Sequence, residues 1–369
     1  MIRRFHVHIG LACAIIGAAI WAFTVAITTP AAVKAEHTAE TAQSVGSEAS
    51  PTDLTGGELH LWAQELREVA IVLAAAGLLF AIQRFRGAAL ISVLTGALLL
   101  IADLVIDSHD GSGGRLAISI AAGAVLLGLL AFGFAQGVGE RSRSKQRPTL
   151  VMLAVIAAYC APALFFHTPT RRNTEFLQSR EFLPLIGLSL GTAIVAVTLA
   201  ALAGFSAVLC MQPLPRAGVA ACIVGVPVAI VGAIGASTGI GLYSNFAGAA
   251  ASQAAALSLP LAATAVLLMQ AHSGKLRRLR FRIALVAGSV LLAVPMALFA
   301  MLAAYVFGER LMNAAGYSFP ADGVPYLPGA LLFAVILGFL SRALNKKQTT
   351  VESETSDPEA AKEVSPIAS

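Results

Sequence analysis

Apolar runs of about 20 residues recur along this chain, at approximately 9–29, 68–83, 87–106, 116–136, 149–167, 183–211, 217–236, 254–271, 283–306 and 328–344. A run of that length, wound at about 1.5 Å per residue, matches the roughly 30 Å hydrocarbon core of a bilayer. Lipid offers no partner to a backbone amide, so a segment crossing it satisfies its own hydrogen bonds as a helix. The pattern predicts an all-α, polytopic integral membrane protein of about ten transmembrane helices, multi-pass in the cell membrane. Composition agrees: 57% of the 369 residues are hydrophobic and 12% charged, with a mean hydropathy of +0.79, against about 25% charged in soluble domains.

The basic residues orient the spans. With the N-terminus inside, the pieces MIRR, RFR near Arg84, GERSRSKQR, QPLPR near Arg216, KLRRLRFR and the C-terminal tail are cytoplasmic and hold 18 of the 25 Lys and Arg residues. Lys34, Arg67, Arg115, Arg171, Arg172, Arg180 and Arg310 fall outside. The positive-inside rule is met along the whole chain, giving an N-in, C-in topology. The net charge of +5 is thereby explained by the bilayer, and no nucleic-acid partner is implied.

Four regions follow. Residues 1–29 form the first transmembrane helix; the alternative is a cleaved signal peptide ending near Val33-Lys34-Ala35, but the apolar run is longer than the 7–15 residues of a signal h-region. Residues 30–65, rich in Ala, Thr, Ser and Glu, read as a flexible extracytoplasmic loop. Residues 66–344 form a nine-helix transmembrane domain, and 345–369 a disordered cytoplasmic tail. Cys13, Cys160, Cys210 and Cys222 all lie in apolar runs without a CxxC, so neither disulfides nor a thiolate metal site is expected.

Prolines Pro162, Pro227 and Pro295 fall inside spans five, seven and nine, where a missing amide favours a kink. The connection after span seven, GAIGASTGIGLYSNFAGAAASQAAA, carries no charge. It suits either a surface segment covered by protein or close helix packing through small residues.

Chemistry concentrates where span three ends, in LLLIADLVIDSHDGSGG from Leu98 to Gly114. Asp103, Asp107 and Asp110 follow i, i+4, i+7 spacing, which puts three carboxylates on one helix face at the negative end of the macrodipole. Such a cluster calls for positive charge nearby. The candidates are a proton, a metal held with His109 and additionally His167 or His60, or an arginine, either Arg115 in the same loop or the pair Arg171 and Arg172 in the loop after span five. Paired with arginine the cluster is a structural clasp; with a proton or cation it is a coupling site of the kind transporters use. The metal is unspecified, and plain interfacial residues are the unadorned alternative.

P-loop, GxSxG, HExxH and EF-hand patterns are all missing from the sequence, which excludes a self-contained ATPase. No histidine pair is spaced to hold two haems, and no cofactor is implied. The function expected from short-looped spans and an intramembrane carboxylate is a transporter or exporter, secondary and ion- or proton-coupled, of a small substrate. Catalytic residues are assigned to none of its positions. The alternatives are a membrane-embedded enzyme acting on a lipid-linked substrate at the outer face, and a non-catalytic accessory subunit with a membrane-protein partner.

Overall fold

The computed structural model describes residues 2–27, 51–109, 113–141, 146, 148–154, 156–157 and 182–210, with isolated helical positions at 302, 306 and 310. Its named elements are five α-helices: α1 (Ile2–Ile27), α2 (Pro51–Ile82), α3 (Ala88–Ser108), α4 (Gly114–Gly137) and α5 (Phe182–Cys210). Three of them contain stretches long and apolar enough to cross a membrane: His6–Ile27, Ala88–Ile106 and Gly114–Gly137. The described part is therefore all-helical, with the character of a membrane protein. Expected spans seven to ten fall outside the described residues, save for the isolated positions. Of span five, only the helical start is described.

Helix α2 departs from the expected boundary. Composition predicts a flexible loop as far as residue 65, yet the helix starts at Pro51. A proline at the first helical position has no amide to leave unbonded, and this local signal outweighs the polar composition that makes the segment resemble a loop.

The same helix is the most enclosed. Val69, Ala70, Leu73, Phe80, Ala81 and Ile82 are all fully buried, because α2 packs against α1, α3, α4 and α5. Its contact with α1 is unusually close. A Cβ placed on Gly10 would lie 2.6 Å from the Gly77 carbonyl oxygen, one on Gly17 2.7 Å from the Ala74 nitrogen, and one on Gly77 2.6 Å from the Ala14 nitrogen. Positions 10, 14, 17 and 21 of α1 thus run antiparallel against 81, 77, 74 and 70 of α2, both at heptad spacing. With no side chain between them the two backbones touch directly, the packing that small residues permit where lipid supplies no hydrophobic drive.

The outer helices of this group show the opposite character. Leu90, Val93, Leu98, Ile101 and Leu104 of α3, and Ile118, Leu126, Leu129 and Phe134 of α4, are exposed. In water such a surface would be costly, at about 25 cal/mol per Å² of apolar area. Against acyl chains it is neutral.

Tight turns fix the ends. Gly87, at φ +77°, closes the α2–α3 turn, and its carbonyl accepts the Ile91 amide at 2.9 Å. At the other end Gly113 donates its amide to the Val25 carbonyl at 3.3 Å, which ties the start of α4 to the end of α1.

Candidate functional site

Asp103 lies in α3 within the apolar stretch Ala88–Ile106. It projects from the face that packs on α2, since Gly96, seven residues earlier, sits where a Cβ would be 3.1 Å from the Ala75 Cβ. Its carboxylate is buried, the residue being 5% exposed. An ionised group in such a place needs both a counter-charge and hydrogen-bond donors.

Two other helices supply them. The indole Nε1 of Trp21, from α1, donates to Asp103 Oδ1 at 2.7 Å. The Arg67 guanidinium, from α2, brings its Nε to 3.7 Å from the same oxygen, and its side chain is 1% exposed. The α1–α2 seam explains the placement. Trp21 continues the α1 series Gly10, Ala14, Gly17, and Arg67 lies one turn before Ala70 at the matching end of α2. The antiparallel register thus carries both residues to one level, opposite Asp103.

The positive partner that the sequence calls for is Arg67. It was not among the candidates named for the cluster, because it stands in GELHLWAQELREVAIVL between Glu65 and Glu68, where it resembles a surface charge at a helix entry. One signal was available: Arg67, Ala70, Ala74, Gly77 and Ala81 share one helix face with heptad spacing. A charge continuing a small-residue stripe faces the neighbouring helix rather than water.

The remaining candidates are distributed differently. Asp107 belongs to α3, one turn past Asp103, so the helix does extend far enough to align those two positions. His109 is exposed, with its Nδ1 2.9 Å from the Val105 carbonyl oxygen and its amide donating to Ile106 at 3.3 Å; it serves as a helix end. Asp110, Arg171 and Arg172 lie outside the described residues. Among the described residues no group of three or more His, Cys, Asp or Glu is gathered to hold a metal.

Chemically, the arrangement contains a buried charge pair and a neutral donor, at the junction of three helices. Loss of the carboxylate charge, by protonation or by a bound cation, would cancel its attraction for Arg67, and the helices carrying the two would no longer be held by it. No known protein family, characterised protein or solved structure matches this chain.

Proposed function

We propose that this chain is a multi-pass transporter of the cell membrane, with about ten spans and both termini cytoplasmic, in which Asp103 couples the movement of a small substrate to a proton or cation. The observation that carries the reading is the burial of Asp103 against Arg67 and Trp21 inside a helix apolar enough to span a bilayer. Ionisable side chains at such depth are costly and are found where ions or substrates are handled. Asp103 carries the titratable charge, and Arg67 is the counter-charge released when that charge is cancelled.

The test uses the full chain in liposomes with an internal pH-sensitive dye and an imposed pH gradient, challenged in turn with organic cations, amino acids, sugars and carboxylates. One class is expected to collapse the gradient. Asp103→Asn is expected to abolish the response when compared with the parent at equal amounts of folded, reconstituted protein. An undiminished response in that variant refutes the coupling role.

A second reading has its own support. Trp21 and Arg67 both converge on Oδ1, and the pair is closed to water, as a structural clasp in an accessory subunit would be. In that case no substrate class collapses the gradient, and a membrane-protein partner co-purifies.

A further inference from the structure

The α2–α3 turn and the segment after α4 are locked together at the end of the helix group opposite Asp103. Arg86 donates its amide to the Gly139 carbonyl at 2.9 Å, Arg141 donates to the Arg84 carbonyl at 2.6 Å, and Phe85 and Glu140 lie opposite one another in an antiparallel bridge. Gln146 Nε2 donates to the Arg141 carbonyl at 3.1 Å, which fixes the far side of the clip. Three arginines are thus held on one hydrogen-bonded pair of connections, closed by a single β-bridge, instead of on separate loops.

Their charge exceeds what the clip neutralises. Glu140 is its one carboxylate, 4.0 Å from Arg84 Nη1 and 60% exposed in its side chain. Arg84 also stacks over Phe85 at 4.6 Å from the ring centre. Arg86 is exposed, Arg141 half-buried, and the first turn of α3 carries no acid.

The apolar surface beside the clip indicates what meets this charge. Leu90 and Val93 at the start of α3, and Phe134 and Val138 at the end of α4, all point outward. We propose that the clip is a headgroup site for an anionic phospholipid, whose phosphate meets Arg86 and Arg141 while its acyl chains lie along Leu90 and Phe134. A guanidinium matches phosphate through its two-donor fork, and basic pockets at helix ends are suited to acidic lipids. A soluble anion would satisfy the arginines but leave the adjoining apolar edge unused. This inference does not depend on the coupling role of Asp103.

The experiment is native mass spectrometry of the full chain in neutral detergent, titrated with phosphatidylglycerol and, separately, phosphatidylcholine. Phosphatidylglycerol should be retained preferentially. The Arg86→Gln/Arg141→Gln variant should bind it about 10- to 30-fold more weakly, from the worth of each arginine near an anionic surface. Arg86→Lys, which keeps the charge and loses the fork, should bind more weakly than the parent and more tightly than the double variant, Glu140→Gln should strengthen binding, and Arg115→Gln, at the opposite end, should leave it unchanged. Equal retention of the two lipids, or an unaltered titration for the double variant, overturns the site. Complete displacement of the lipid by millimolar inorganic phosphate overturns the assignment to lipid. Thermal unfolding of each variant in the same detergent separates loss of binding from loss of fold, and Glu140→Gln retains a definite expected sign if the double variant does not fold.

Discussion

Removing one member of the Arg67–Asp103 pair should be far worse than removing both. At the observed 3.7 Å, two unit charges attract by about 4 kcal/mol at an effective dielectric constant of about 20. Arg67 is 1% exposed and Asp103 5%, so neither can recover hydration in place when its counterpart is lost. Arg67→Met and Asp103→Leu are each expected to cost about 3–5 kcal/mol, the usual penalty for breaking a buried pair. The double variant replaces both charges with apolar side chains, removing the desolvation cost together with the attraction. It should return to within about 1–3 kcal/mol of the parent, the Trp21 indole N–H left without its 2.7 Å acceptor being part of the remainder. The assay is reversible denaturation in bicelles, followed by helix content, for the parent, both single variants and the double. A coupling energy near zero, with the two single losses simply adding, would show that the charges do not hold these helices together and would refute the account of the site.

Substitutions at three glycines separate packing from backbone strain. Gly17→Ala would place a methyl against the Ala70 carbonyl and the Ala74 amide and should destabilise by about 1–3 kcal/mol in the same assay. Gly123→Ala, with nothing within 4 Å of the new Cβ, should be neutral or gain up to about 1 kcal/mol of helix propensity; equal effects at the two positions would contradict the close α1–α2 seam. At Gly87 the nearest atom to a new Cβ is Ile91 Cδ1 at 3.9 Å, so space is ample and only the positive φ resists substitution. Gly87→Ala should therefore cost about 1–2 kcal/mol and Gly87→Asn less, as measured by unfolding, because asparagine tolerates that conformation better.

Much of the fold was legible in the residue order. Where the structure is described, α1, α3, α4 and α5 fall close to the expected spans, because a run's length and apolarity are local properties that a bilayer reads directly. Helix α2 was less legible. Its charged first half, with Glu65, Arg67 and Glu68 close together, reads as loop or helix entry, and only its neighbours reveal that Arg67 is enclosed. The site was half legible in the same sense. Asp103 stood out as a carboxylate near the end of an apolar run, readable either as a group with a positive partner or as a plain interfacial residue, and the partner's identity was not local information.

The sequence by itself determined that this chain builds long apolar helices and that Asp103 stands inside one of them. Tertiary structure decided that Arg67 answers it and that Trp21 donates to it across 82 positions of chain. The physical reason lies in the seam. Gly10, Gly17 and Gly77 let two backbones meet, and the antiparallel register of that contact carries Trp21 and Arg67 to the level of Asp103. Helical periodicity tells which residues share a face; only packing tells which faces meet, and at what height.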